Sequence, residues 1–345
     1  MIRLEHVQKE YADGTVAVND LSLSVAEGDV CVLVGPSGCG KTTTMRLINR
    51  LADTTRGEVY VDDKDVTHAD PVQLRRSIGY VIQQVGLFPH QSVRKNVGTV
   101  CRLLGWDKAE IDKRADEMLH LVGLDPDVYG DRYPHQLSGG QSQRVGVARA
   151  LASRPPVLLM DEPFGAVDPI ARDRLQEEFL NVQRELGITT VIVTHDIDEA
   201  VRLGDRIAVM SEGGNLEQYD TPATILGRPA NDFVAEFVGS DRLLKLMSVT
   251  DIDDAMVPDA APHDADLPEV RIETSLRDVS LALLASPQGR VAVVDGSGAL
   301  VGTLTLDDVR KILASEREAG PPGRPEVDPV SGQTAGADAQ GGAGA

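Results

Sequence analysis

Residues 35–42 read Gly-Pro-Ser-Gly-Cys-Gly-Lys-Thr, a complete G-x-x-x-x-G-K-[ST] phosphate-binding motif. The preceding residues 31–34, Cys-Val-Leu-Val, are typical of a strand, and the residues from Thr42 onward are typical of a helix. Glycines between a strand and a helix N-terminus let backbone N–H groups converge on phosphate oxygens. The stretch therefore predicts an α/β fold of the P-loop NTPase type, with the candidate nucleotide-binding residues Gly35, Pro36, Ser37, Gly38, Cys39, Gly40, Lys41, Thr42 and Thr43.

The same motif indicates which cofactors to expect. In such loops the lysine reaches the β- and γ-phosphates, and the following hydroxyl binds Mg²⁺. We therefore expect ATP and Mg²⁺ as cofactors, with Lys41 on the phosphates and Thr42 on the metal ion.

A second apolar run, residues 157–160, ends in the adjacent carboxylates Asp161 and Glu162. Neighbouring side chains on a strand point to different sides. Asp161 is therefore expected to hold Mg²⁺ through water, while Glu162 faces the attacking water as a general base. An Asp-Glu pair after an apolar run is common, and its position shortly after residues 137–141, Leu-Ser-Gly-Gly-Gln, is what makes it informative.

With these motifs in order, residues 1 to about 238 resemble the nucleotide-binding subunit of an ABC transporter. The resemblance implies ATP hydrolysis in a dimer of two copies of the chain. In that dimer, residues 137–141, here called the signature segment, contact the γ-phosphate of ATP held by the other copy. The resemblance assigns roles to these residues: adenine stacking by Tyr11, contact with Mg²⁺ and the attacking water by Gln83, the signature contacts by Ser138, Gly139, Gly140 and Gln141, the dimer interface by Asp168 in residues 166–168, and γ-phosphate contact by His195. Gln84 is a competing choice for the role of Gln83.

Composition limits the classes of partner. The chain has 345 residues, a formal net charge of −20 and three cysteines. No apolar run approaches the length of about 18 residues that a membrane span needs, and the N-terminus does not resemble a signal peptide. We therefore expect a peripheral protein on the cytoplasmic face of a membrane, with a permease as a separate polypeptide. The negative charge argues against nucleic acid as a partner.

The sequence suggests several domains. Residues 1–238 form the predicted ABC ATPase domain, with a helical subdomain over about 88–150, and residues 239–269 are predicted to be a linker. Residues 270–315 resemble a single CBS motif, a small α+β unit, although such motifs usually occur in pairs. In that family the residues matching Thr305 and Asp308 often touch a ribose, but a packing unit without a ligand is the alternative. Residues 316–345 have a composition typical of disorder.

The transported solute is suggested by resemblance alone. Residues 78–90 and 163–169 resemble those of importers for quaternary-ammonium compatible solutes: glycine betaine, choline and carnitine, and also proline. An extracytoplasmic substrate-binding protein is then an implied partner. Two alternatives remain open at this point, namely an importer of another solute, such as an amino acid or an anion, and a non-transport ABC protein.

Overall fold

The computed structural model describes residues 1–83, 85–165, 167–253, 256–257 and 267–318. Strands and helices are numbered along the chain. The strands are β1 Ile2–Glu10, β2 Val16–Val25, β3 Val30–Val34, β4 Arg56–Val61, β5 Lys64–Asp65, β6 Ile78–Val81, β7 Val157–Asp161, β8 Thr189–Val193, β9 Arg206–Ser211, β10 Asn215–Asp220, β11 Glu269–Arg271, β12 Arg290–Val294 and β13 Leu300–Thr305.

The helices surround these strands, and a 3₁₀ turn covers Pro134–Gln136. Most helices begin at an Asp, Ser, Thr or Asn cap, whose side chain accepts a backbone N–H bond. They are α1 Lys41–Ile48, α2 Pro71–Ser77, α3 Val93–Val97, α4 Thr99–Leu103, α5 Lys108–Leu121, α6 Pro126–Tyr129, α7 Gly139–Leu151, α8 Pro169–Leu186, α9 Ile197–Leu203, α10 Pro222–Gly227, α11 Asp232–Val238, α12 Arg242–Val249, α13 Leu276–Ala285 and α14 Leu306–Glu318.

The central sheet has the strand order β10-β9-β3-β8-β7-β6 in the described part of the chain. Strands β9, β3, β8, β7 and β6 run parallel, and β10 is antiparallel to β9. Every residue of β3, β7 and β8 is buried, as expected for parallel strands that are covered on both faces. The α/β fold predicted from the sequence is confirmed.

The two faces of the central sheet pack against different layers. Val32 and Val34 of β3 lie in one apolar core with residues of α5, α7 and α8. Cys31 and Leu33 lie in a second core with α1 and the antiparallel sheet β2-β1-β4-β5. Because the strands are parallel, the loops that follow β3, β6, β7 and β8 all leave at one edge of the sheet. These loops carry the candidate site residues.

The helical region predicted for residues 88–150 contains α3 to α7, which together cover Val93–Leu151. No helix within the described ranges is long and apolar enough to cross a bilayer.

The C-terminal unit has a core of its own. Its sheet has the order β11-β12-β13, and Leu276, Val291 and Leu304 pack together in its apolar cluster. Within residues 270–315, which resemble a CBS motif, β12 and β13 are followed by α14.

The segment 239–269, predicted to be a linker, contains α12. Leu246 of α12 is fully buried and belongs to the same core as α7 and α8. Lys245 forms ion pairs with Asp198 of α9 at 2.9 Å and with Asp241 at 3.1 Å. Helix α12 therefore packs as part of the ATPase domain rather than as a free connection.

Candidate nucleotide site

The loop between β3 and α1 has a backbone that only glycine fits. Gly35 and Gly40 have φ angles of 153° and 96°. A Cβ atom at Gly35 would lie 2.2 Å from the Met210 carbonyl oxygen, and one at Gly40 would lie 2.1 Å from the Ala17 carbonyl oxygen. Gly38 has a φ of 85°, and a Cβ there would have no neighbour within 4 Å. The loop is thus packed firmly on one side and open on the other.

Lys41 is the first residue of α1 and is only 7% exposed. Its ammonium group donates hydrogen bonds to the carbonyl oxygens of Gly35 at 2.7 Å and Pro36 at 2.9 Å. Gly40, the N-cap of α1, provides no side-chain cap. The first N–H groups of α1 therefore have no capping side chain, which makes this helix end suited to an anion.

Thr42 and Asp161 meet although 119 residues separate them in the sequence. The Thr42 hydroxyl donates to Asp161 Oδ1 at 3.2 Å. Burial raises the pKa of Asp161 above its ordinary value; the hydrogen bond from Thr42 opposes this shift, and the negative charge of Glu162 adds to it. A carboxylate and a hydroxyl beside a phosphate loop are the hard oxygen donors that Mg²⁺ prefers, and Mg²⁺ commonly takes few protein ligands. The residues present therefore fit the expected metal ion.

Glu162 follows directly after β7 and has a left-handed backbone, with φ of 45°. Its N–H donates to the Val193 carbonyl oxygen at 2.9 Å. Its carboxylate lies between two predicted site residues: Gln83 Nε2 donates to Oε2 at 2.8 Å, and His195 Nδ1 lies 3.2 Å from Oε1. Both carboxylate oxygens thus have a partner, and a non-glycine residue occupies a backbone conformation that is uncommon outside glycine.

The loop that carries His195 is fixed by a buried pair that the sequence analysis missed. The Thr194 hydroxyl donates to Glu199 Oε2 at 2.6 Å, and Asp196 caps α9 by accepting from the Asp198 backbone N–H at 2.9 Å. Burial raises the pKa of Glu199, while the hydrogen bond from Thr194 lowers it. Asp196 and Glu199 are spaced as in a helix capping box, and this spacing is the sequence pattern that could have indicated an ordered helix start after His195.

The signature segment lies at the start of α7. Ser138 is exposed and is the N-cap: its hydroxyl accepts from the Gln141 N–H at 3.2 Å, and the Gln141 side chain accepts from the Ser138 N–H at 3.0 Å. Gly139 and Gly140 are the next two residues, and the nearest atom to a Cβ at Gly140 would be 3.9 Å away. The segment therefore presents an open, glycine-rich helix end at the surface.

Several predicted site residues lie apart from the Glu162 network. No hydrogen bond between described residues joins Tyr11 or Ser138 to Lys41 or Glu162. Tyr11 is 40% exposed, with the Lys9 ammonium 5.2 Å from its ring centre. Asp168 is exposed just before α8, where its carbonyl oxygen accepts from the Arg172 N–H at 2.9 Å. Gln84 and Ala166 lie outside the described residues.

The chain is similar in sequence and in fold to known proteins. A family model described as ABC transporter matches residues 18–165. The carnitine transport ATP-binding protein OpuCA of Listeria monocytogenes is 55% identical over 245 residues, which are 71% of this chain and 61% of that protein. The glycine betaine uptake system ATP-binding protein YehX of Escherichia coli is 46% identical over 310 residues, which are 90% of this chain and 99% of that protein.

A solved dimeric structure of a bacterial ABC transporter cassette matches with a TM-score of 0.59 and 37% sequence identity. The match covers 64% of this chain and 98% of the cassette. This chain therefore spans about three fifths of the carnitine relative, but nearly all of the glycine betaine relative and of the solved cassette. On the family match and on these relatives, the chain belongs to the ABC transporter family as one of its ATP-binding proteins.

Proposed function

We propose that this chain binds and hydrolyses MgATP as a dimer, and that hydrolysis drives the import of a quaternary-ammonium compatible solute through a separate permease. One observation carries the chemical part of the proposal. The Glu162 carboxylate lies between Gln83 and His195 at the sheet edge where Thr42 and Asp161 meet.

Binding of the phosphates falls to the loop 35–42 and the N-terminus of α1. The Lys41 ammonium already lies inside the loop, bonded to carbonyl oxygens at 2.7 and 2.9 Å. A phosphate oxygen with full negative charge is a stronger acceptor than a carbonyl, so Lys41 turns to the β- and γ-phosphates when ATP binds. Thr42 and Asp161 hold the Mg²⁺ ion. When bound, Mg²⁺ neutralises charge that develops on the phosphate oxygens.

Activation of water is assigned to Glu162, which acts as general base. A positioned general base contributes about 10²- to 10⁴-fold to the rate. Gln83 and His195 orient this carboxylate through their contacts at 2.8 and 3.2 Å. His195, whose side chain is 62% exposed, is also free to contact the γ-phosphate.

The second copy of the chain is proposed to supply the remaining contacts. Ser138, Gly139, Gly140 and Gln141 form an exposed helix end, which suits the γ-phosphate of ATP held by the other copy. Tyr11 is exposed and is assigned to stack on adenine, and Asp168 is assigned to the dimer interface. The dimeric state of the solved cassette supports this arrangement.

The solute and the other partners are proposed from the relatives. The names of two of them refer to carnitine and glycine betaine. We propose a solute of the same chemical class, an integral permease contacted by residues 83–90, and an extracytoplasmic substrate-binding protein. Phe88 is 41% exposed in that segment and offers an apolar contact. The chain would then act at the cytoplasmic face of the membrane.

Mixed dimers test the composite site. Lys41→Ala removes phosphate binding from one site, and Ser138→Arg blocks the site of the opposite copy. A dimer that carries one chain of each kind has both changes in the same composite site, so its other site stays intact. Mixing the two inactive variants is therefore expected to restore up to about a quarter of the wild-type ATPase rate, since half of the dimers are mixed and each has one of two sites. Mixtures of each variant with itself are the control. No recovery on mixing, or full activity of either variant alone, would contradict the composite site.

Uptake measurements test the proposed solute. The chain is reconstituted in proteoliposomes with the permease and the binding protein that copurify with it, and labelled glycine betaine, choline, carnitine and proline are supplied. ATP-dependent uptake of at least one of them is expected, with the Glu162→Gln chain as the inactive control. Another amino acid and an anion are supplied in the same way, and uptake of either of these instead of the four would transfer the chain to another class of importer and leave the ATPase proposal intact.

A further inference from the structure

Helix α7 packs closely against the strand and loop that lead to and follow Gln83. A Cβ atom at Gly79 of β6 would lie 2.7 Å from the carbonyl oxygen of Ala150 in α7. A Cβ at Gly146 of α7 would lie 2.5 Å from Val85 Cγ1. The helix and this segment therefore meet at two points where an added Cβ would force a neighbouring atom to move.

Arg149 adds polar contacts at the same place. Its guanidinium donates to the carbonyl oxygen of Val85 at 2.6 Å and to that of Gly86 at 2.8 Å. Burial lowers the pKa of Arg149, although an arginine remains charged in proteins. A partly buried guanidinium needs acceptors to replace water, and here two successive backbone carbonyls supply them. The contact is forked, so it fixes the direction of this backbone as well as its position.

Gln83 lies two residues before this clamped backbone, and its side chain donates to Glu162 at 2.8 Å. We propose that Arg149 is a positioning residue, which holds residues 85–86 so that Gln83 stays aligned with Glu162. This inference rests on the proposed role of Glu162 as general base. Arg149 itself touches neither nucleotide nor water in this assignment.

The position of Arg149 has a further consequence for the dimer. Helix α7 begins at Gly139, beside Ser138, and runs 13 residues to Leu151. At about 1.5 Å per residue it spans about 20 Å. Helix α7 thus connects two segments. The signature segment is proposed to contact ATP held by the other copy, and residues 85–86 are proposed to align Gln83 with Glu162 in the same copy.

Steady-state ATPase kinetics of the full-length chain test the proposal. Arg149→Ala is expected to lower kcat by about 10- to 100-fold, the range seen when a reacting group is misplaced by about 1 Å. KM for ATP should change by less than about twofold, because the phosphate loop is untouched. Arg149→Lys should lie in between, since an ammonium donates to these carbonyls without the planar fork.

A double-mutant cycle separates positioning from general stability. In a Gln83→Ala chain, Arg149→Ala should change kcat by less than about twofold, because the group that it aligns is already absent. Arg144→Ala is the matched control: Arg144 lies on the same helix but pairs with Glu178 at 3.0 Å and donates to Val122 at 3.2 Å. Its effect should multiply with that of Gln83→Ala. An equal loss from Arg149→Ala in both backgrounds, or wild-type kcat in the single variant, would overturn the proposal.

Hydrogen exchange tests the clamp without relying on hydrolysis or on the alanine variant. In Arg149→Lys, the amide of Phe88, which donates to Asn96 Oδ1 at 2.7 Å, should exchange at least about tenfold faster, since a looser contact at residues 85–86 lets this segment open more often. The amides of residues 142–146 in α7 should be unchanged. A wild-type chain without ATPase activity would contradict the proposed function, whereas unchanged exchange at Phe88 would contradict the clamp.

Discussion

The ATPase domain and the C-terminal unit each contain a threonine that bonds an aspartate beside a helix N-terminus, and the two pairs differ in kind. Thr42 donates to Asp161 at 3.2 Å across 119 residues of sequence, which joins α1 to the end of β7. Thr305 donates to Asp308 at 2.6 Å within one helical turn, and Asp308 accepts the Thr305 backbone N–H at 3.0 Å. The first pair joins two elements that are remote in the sequence, and the second caps α14.

The electrostatics of the two aspartates differ in the same way. Burial raises the pKa of Asp161, which lies beside a second carboxylate. Burial also acts to raise the pKa of Asp308, but hydrogen bonds from Thr305 and Lys311 outweigh it, and the net shift is downward. Asp161 is thus held where its charge is unfavourable until a cation arrives, whereas the charge of Asp308 is already satisfied. A capping role accounts for Thr305 and Asp308 without a ligand.

The largest expected effect is on ATP hydrolysis, which should depend on the ATPase domain and not on the C-terminal unit. Glu162→Gln should lower kcat for ATP hydrolysis by about 10²- to 10⁴-fold, because an amide cannot accept the proton from water. Nucleotide binding, measured by calorimetry, should be retained. Asp308→Asn is the matched control and should leave kcat unchanged. Wild-type turnover in Glu162→Gln, or a comparable loss in Asp308→Asn, would remove the distinction between the regions.

A second effect shows where the ATPase domain ends. Leu246→Ala should lower the free energy of unfolding by about 2–5 kcal/mol, because Leu246 is fully buried in the core shared with α7 and α8. Leu244→Ala, two residues away on the same helix and 63% exposed, should change it by less than about 0.5 kcal/mol. Denaturant unfolding followed by circular dichroism measures both. Equal effects would mean that α12 is not part of the ATPase core.

The smallest expected effect is a difference in sign between two changes in the free energy of unfolding, both measured without nucleotide or Mg²⁺. The pKa of Asp161 in the folded chain is raised above its ordinary value of 3.8. Ionisation of Asp161 therefore lowers the stability as the pH rises from 3.8 through the raised pKa, and Asp161→Asn should stabilise the chain at pH 7. The pKa of Asp308 in the folded chain is lowered below 3.8. Its charge therefore adds stability above pH 3.8, this stability is lost as the pH falls through the lowered pKa, and Asp308→Asn should destabilise the chain at pH 7. Each change should be about 0.5–2 kcal/mol and should vanish in acid. If the two substitutions changed the free energy of unfolding with the same sign, the proposed difference between Asp161 and Asp308 would be wrong.

The sequence predicted which residues remote along the chain lie close together better than it predicted the role of residues that are close along the chain. Asp161, Glu162 and His195 follow apolar runs, and parallel strands bring such positions to one edge. The structure places them there with Thr42 and Gln83. The spacing of Thr305 and Asp308, by contrast, is the same for a helix cap and for a ligand contact, so the sequence alone left both open.

Two other features have no local sequence signal. Arg149 meets residues 85–86 across more than 60 positions, and nothing in the pattern around it distinguishes it from a surface arginine. Helix α12 lies within residues 239–269, which the sequence predicts to be a linker. Its place in the ATPase core depends on Leu246 meeting side chains that are remote in sequence.

The left-handed backbone of Glu162 bears on how this chain responds to selection. At a φ of 45°, glycine and asparagine are accommodated with less strain than glutamate. Selection for thermal tolerance alone would therefore favour their appearance at position 162. The same replacement would remove the proposed general base, so heat resistance gained at this position would arrive together with loss of turnover. Directed evolution of this chain should screen for hydrolysis in every round, because a stabilising replacement at position 162 would remove a residue that hydrolysis needs.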